Sequence, residues 1–139
     1  MSTASDAYPQ PQVTEANRPL IEAWQRGELR LQQCDDCGHT VYFPRELCPY
    51  CWSVALRWSA RSGRGTLVSY ALVHSHVTEP FASESPVVLA EIELHEGGAM
   101  LARVVTDDVG ALQSGLTVEL VPMPEASRYP LPTFRLSAA

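Results

Sequence analysis

The run CDDCGHTVYFPRELCPYC, residues 34–51, carries all four cysteines of the chain in two Cys-x-x-Cys pairs separated by ten residues. Two intervening residues let both sulfurs of a pair face one ion. Two such knuckles supply four thiolates, the closed tetrahedral set of a structural zinc site. Gly38 follows the first pair, where a left-handed backbone can turn amides toward the sulfurs. Cys34, Cys37, Cys48 and Cys51 are therefore the expected metal ligands. No thiol is left over for chemistry, and no coordination position is left open. Iron in a rubredoxin-like centre is the alternative metal. A segment this small cannot build its own apolar core, so the ion is expected to fold it. His39, beside the first knuckle, is expected at the surface or behind the ligands rather than as a fifth ligand.

Elements on both sides of this run extend the pattern. Upstream, Leu20, Ile21 and Trp24 share one face at helical spacing. Asn17 stands as N-cap, Pro19 lies in the tolerant first turn, and Gly27 fits a left-handed stop. This predicts a helix over Arg18 to Arg26. It covers either its own domain or a partner. Leu29 to Gln33, Thr40 to Phe43 and Leu56 to Ala60 read as short ribbon strands.

Downstream the segments lengthen. Gly65 to Val77 is rich in β-branched and aromatic residues without clean alternation, which suits a bent barrel strand interrupted by a bulge. Val88, Ala90, Ile92 and Leu94 alternate with Leu89, Glu91, Glu93 and His95, the pattern of a half-buried strand. Gly97-Gly98 predicts a hairpin turn. Met100, Ala102 and Val104 alternate again, with Arg103 facing the other way. Asp107 to Gly115 predicts a short helix or loop, and Thr117 to Val121 and Thr133 to Leu136 further strands. About five strands with a helical turn is the count of a small Greek-key barrel of the OB type. The expected order is a polar, mobile tail over 1–14, a helix over 15–28, a zinc ribbon over 29–60 and a mainly β barrel over 61–139.

Composition narrows the function. Among 139 residues there are 16 acidic and 10 basic side chains, and every basic one is arginine. A Schiff-base or phosphate-loop lysine is thereby excluded in this chain. The net charge of −6 argues against a generic nucleic-acid binder. No stretch reaches the length of a membrane span, and the N-terminus has no basic and apolar signal pattern. Paired cysteines then predict a cytoplasmic, reduced protein.

The run GELRLQQCDDCGHTVYFPRELCPYCWS, followed by LRWSARSGRGTLVSYALVH, PVVLAEIEL and LPTFRL, resembles a family of zinc-ribbon and OB-fold, acyl-CoA-associated proteins. That family was long catalogued as a domain of unknown function. The resemblance spans about Arg18 to Leu136. It implies an N-terminal helix, a rubredoxin-like ribbon and a C-terminal OB barrel. It also implies partnership with thiolase-superfamily enzymes (thiolases, acyl-CoA aldolases or acyltransferases) or with hydratase-type proteins. In such complexes the partner carries the catalytic residues, and the small subunit stabilises the assembly and shapes the CoA channel.

The residues themselves agree that no catalytic set is present. His74 and His76 share a strand face, but no third ligand is indicated. Glu91 and Glu93 read as a solvated face. For CoA, the turn Arg61-Ser62-Gly63-Arg64-Gly65 offers two guanidinium forks and backbone amides able to form an anion nest, or else a plain interdomain turn. Arg61 and Arg64 are thus the candidate CoA contacts. The loop from His74 to Pro86, with Phe81, is long enough to reach a partner or cover a channel. Two rivals are an OB-fold nucleic-acid-binding module, for which Arg57, Arg61, Arg64 and Trp58 form the one basic–aromatic cluster, and a stand-alone acyl-CoA-binding protein.

Overall fold

A computed structural model describes residues 8–74 and 79–137. Helix α1, Arg18–Gln25, buries Leu20, Ile21, Ala23 and Trp24 against the rest of the same chain. Of the two uses open to this helix, the structure shows the first. Trp24 Nε1 donates to Tyr129 O at 2.8 Å, pinning the helix to the far end of the sequence. Asn17 occupies the N-cap position, but its side chain makes no capping bond. Its amide instead accepts from Thr14 N and donates to Gln12 O, which organises the chain before the helix. At the other end Glu28 N bonds Ala23 O and Gly27 N bonds Trp24 O, with Gly27 at φ +76°. This is a Schellman stop, which requires a residue tolerant of the left-handed region.

The ribbon is a three-stranded antiparallel sheet in the order β2-β1-β3, with β1 Leu29–Cys34, β2 Thr40–Val41 and β3 Leu56–Arg61. Strand β2 is shorter than the expected Thr40 to Phe43. The cause is Gln32, a buried polar side chain of β1. Its amide donates to Arg45 O and accepts from Arg45 N, both at 2.8 Å. The side chain thus substitutes for the next rung of the ladder. Tyr42 and Phe43 leave the sheet and pack on one another with ring centroids 4.5 Å apart.

The second sheet closes as a five-stranded barrel, β4-β5-β6-β8-β7. Its strands are β4 Arg64–Val73, β5 Val87–Leu94, β6 Ala99–Val105, β7 Thr117–Leu120 and β8 Thr133–Leu136. Strands β6 and β8 pair in parallel and all other pairs are antiparallel. This is the mainly β, OB-type architecture expected. The bulge expected in β4 lies between Leu67 and Ser69. Beyond it β4 rises out of the barrel, because its pairing with β7 spans only Arg64 to Thr66. That is why its second half is exposed. Leu67, Ile92, Leu94, Val104, Val118 and Phe134 fill the interior. A four-residue helix α2, Phe81–Glu84, precedes β5. Single 3₁₀ turns at Val109–Ala111 and Glu125–Arg128 complete the connections.

The tail expected over 1–14 is anchored from Tyr8 onward. Tyr8 is 4% exposed. Its hydroxyl lies 2.7 Å from both carboxylate oxygens of Glu84, to which it donates. A tyrosine among prolines and glutamines supplies the apolar area that the composition of this stretch otherwise lacks.

Candidate metal centre and apolar groove

The four cysteine sulfurs lie within 4.8 Å of one another. Cys34 Sγ and Cys51 Sγ are 3.6 Å apart, as are Cys37 Sγ and Cys48 Sγ. Tetrahedral coordination with zinc–sulfur bonds of about 2.3 Å places sulfurs at nearly this separation, so the donor set fits one zinc ion. The two knuckles repeat one backbone design. Gly38 N bonds Cys34 O and Cys34 N bonds His39 O; equivalently, Trp52 N bonds Cys48 O and Cys48 N bonds Ser53 O. Gly38 has φ +79°, and at the matching position Trp52 has φ +67°. The first knuckle therefore uses glycine where the second forces a tryptophan into the left-handed region. That Trp is 76% exposed. Trp52 was not singled out from the sequence, although aligning CDDCG with CPYCW is enough to find it.

Four thiols at this spacing cannot all ionise without a cation. The backbone N–H groups of Cys37 and Asp36 draw the Cys34 thiol down to about 7 against the effect of burial. At Cys51 the N–H of Ser53 favours the thiolate. The three neighbouring sulfurs outweigh it and push the thiol up to about 12. A dication removes this conflict, because it stabilises every thiolate at once.

Arg61 and Arg64 are placed at the ribbon–barrel turn, as expected, but their surroundings differ from an open anion nest. The carboxylate of Glu96 already accepts from Ser62 N at 2.5 Å. Burial raises the Glu96 carboxyl, but the Ser62 hydrogen bonds and the Arg61 charge lower it further, so it lies below its ordinary range. Arg61 donates to Thr40 Oγ1 at 3.0 Å. Arg64 lies 3.6 Å from Glu119 and keeps half of its side chain in solvent. The turn does bind an anion, and that anion belongs to the protein. His74 is exposed, and its carbonyl accepts from Ser85 Oγ at 3.2 Å; His76 lies outside the described residues.

A groove of about 660 Å³ runs over the outer face of β4, β5 and β6. In the barrel register Leu89 faces Arg103 and Glu91 faces Leu101, so the two leucines are diagonal neighbours on that face. Both are more than half exposed, as is Phe43, which reaches the groove from the ribbon. Tyr8, Phe81 and Tyr129 form the opposite wall. Behind this wall Glu84 accepts from Arg103 and Arg128 at 2.8 Å each as well as from Tyr8. Burial raises the Glu84 carboxyl, but these hydrogen bonds and charges prevail and hold it below the usual carboxylate range. The groove was not expected from the sequence. Its signal was two leucines on the solvent side of alternating strands.

Comparison with known proteins agrees with this architecture. The family model for the rubredoxin-like zinc ribbon domain of ChsH2 matches residues 22–57, and that for the ChsH2 C-terminal OB-fold domain matches residues 58–121. A DUF35 domain-containing scaffold protein of Methanocaldococcus jannaschii is 36% identical over 111 residues, covering 76% of this chain and 77% of the relative. A probable enoyl-CoA hydratase alpha subunit of Thermomonospora curvata is 30% identical over 127 residues; this chain spans 39% of its length. Among solved structures, a chain of the Ltp2-ChsH2(DUF35) aldolase superposes with a TM-score of 0.74 at 27% identity, over 91% of this chain and 98% of that one. A DUF35 protein of unknown function from Sulfolobus solfataricus shares the fold, with a TM-score of 0.61 at 13% identity. The chain belongs to the DUF35 family, in its ChsH2-type arrangement of a rubredoxin-like zinc ribbon followed by an OB-fold domain.

Proposed function

We propose that this protein is a non-catalytic accessory subunit of a thiolase-superfamily enzyme acting on acyl-CoA thioesters, with zinc as a structural ion. The observation that carries this is the end-to-end likeness to the DUF35 chain of an aldolase complex. Chemistry supports it. The four cysteines form one closed ligand set, and the carboxylates of Glu84, Glu96 and Glu119 are each engaged by arginine or backbone donors. The reaction of the complex would make or cleave a carbon–carbon bond beside a thioester.

Two apolar surfaces suit assembly. One is the groove. The other is the knuckle tip, where Leu47, Tyr50, Trp52 and Val54 are all exposed. A tryptophan both strained and uncovered is the kind of anchor that an interface buries. Of the two candidate CoA contacts Arg64 is the more available, since half of its side chain is in solvent whereas Arg61 donates to Thr40. The nucleic-acid rival is weaker. Arg57 is paired with Asp35 at 2.6 Å, Arg61 with Thr40 and Arg64 with Glu119. Among the described residues, no helix is long and apolar enough to cross a membrane.

The test is co-expression with thiolase-superfamily proteins of the same organism, followed by size-exclusion chromatography. The expected result is one co-eluting complex with thioester-dependent turnover, weakened at least tenfold in affinity by Trp52→Ala. Turnover by the zinc-loaded chain alone would overturn the proposal.

A further inference from the structure

The four ligands are not equally protected. Cys34 and Cys48 are buried, Cys37 is half-buried and Cys51 is exposed. His39 Nδ1 lies 3.3 Å from Cys37 Sγ. A metal-bound thiolate has no proton and can only accept, so Nδ1 carries the hydrogen in the loaded site. The imidazole is held flat against Tyr50, with ring centroids 4.1 Å apart and planes 11° from parallel. His39 follows the first knuckle and Tyr50 sits inside the second. Any separation of the knuckles therefore breaks the stack and frees the imidazole to turn away from Cys37.

We propose that His39 and Tyr50 form a guard bridging the two knuckles that slows metal escape, so that release begins at the unguarded Cys51. Both rings are exposed, and neither contributes to the apolar clusters of the fold. Their role toward the metal is thus separable from folding. His39 acts as a positioning residue. It holds a hydrogen bond on one thiolate, and that bond lowers the charge the sulfur presents to competing acids or chelators.

The proposal rests on the tetrathiolate site, so the first measurement is elemental analysis of the wild-type chain. Substoichiometric metal there rejects the site itself and is distinguishable from failure of the guard. With one zinc per chain established, transfer of zinc to excess chromogenic chelator is timed for the wild type, His39→Ala, His39→Gln and Tyr50→Leu. His39→Ala is expected to release zinc about tenfold faster, the lower end for loss of a hydrogen bond to a ligand. His39→Gln keeps a side-chain N–H donor and recovers part of the effect; Tyr50→Leu is intermediate. In cobalt-loaded protein His39→Ala shifts the thiolate-to-metal charge-transfer band. Wild-type release rates in both His39→Ala and Tyr50→Leu, or an unshifted band, overturn the guard. If His39→Ala holds no metal, Tyr50→Leu alone decides. Limiting iodoacetamide on the zinc-loaded chain should label Cys51 first, and first labelling of Cys37 overturns the order of release.

Discussion

The knuckle end of the ribbon and the barrel are folded by different means. The barrel interior is a continuous cluster of apolar side chains around Leu67, Ile92, Met100, Val104 and Phe134. Each contact there is weak and replaceable, and the sum is large. The knuckle end has Cys34, Val41 and Cys48, with Cys37 and Leu56 beside them, and little else. One ion must take the place of a core. The boundary between these regimes does not coincide with the domain boundary. Leu20 of α1 and Leu29 and Leu31 of β1 belong to the barrel cluster. The inner half of the ribbon is thus folded by the barrel, and only the segment beyond about Gln32 depends on the metal.

Metal removal should separate the two regions most widely. Chelation, or Cys48→Ser, forfeits a binding free energy of about 10 kcal/mol or more. Amide signals from about residue 34 to residue 53 are expected to collapse, while those of β4 to β8 and of Leu29 to Leu31 persist. Unchanged near-UV and far-UV spectra after chelation would show that the ion is not structural. The reciprocal experiment is Phe134→Ala. This side chain is fully buried, and its loss should cost about 3–5 kcal/mol and lower the barrel melting temperature. The zinc content of the folded fraction should stay at one equivalent; coupled loss of zinc would mean that the two regimes are one.

A polar junction, neither metal nor apolar core, is built on Glu84 where the tail, α2 and β6 meet. Glu84→Gln leaves Arg103 and Arg128 facing one neutral amide oxygen and an NH2 in place of their shared carboxylate, and should destabilise by about 1–3 kcal/mol in denaturant melts. The wild-type carboxyl is held below its ordinary value. Its contribution is therefore complete above pH about 4.3 and fades as pH falls through the lowered folded-state value. The Gln variant should lack this part of the acid dependence, and an identical acid profile in both proteins would exclude it. The smallest effect is of opposite sign. Trp52→Gly replaces a strained left-handed tryptophan with the residue used by the first knuckle and should stabilise the isolated chain by about 1 kcal/mol without loss of zinc. Destabilisation would mean that the exposed ring has a packing role in the chain itself.

Short-range periodicity and stereochemistry could be read along the chain. The spacing of sulfurs gave the metal site, alternation gave β5 and β6, Gly27 gave the end of α1, and imperfect alternation gave the bulge in β4. These patterns are legible because a helix, a strand or a knuckle imposes its period within a few residues. Pairing across distance emerges only in the folded chain. Tyr8 meets Glu84 across a sequence separation of 76, and Trp24 meets Tyr129 across one of 105. Glu96 fills the turn at Ser62 that otherwise suited a phosphate, and Gln32 ends β2 by bonding Arg45. The apolar groove likewise needs ribbon, barrel and tail together. Such contacts leave no local period, since which polar group satisfies which is settled only when the closed barrel fixes their separations.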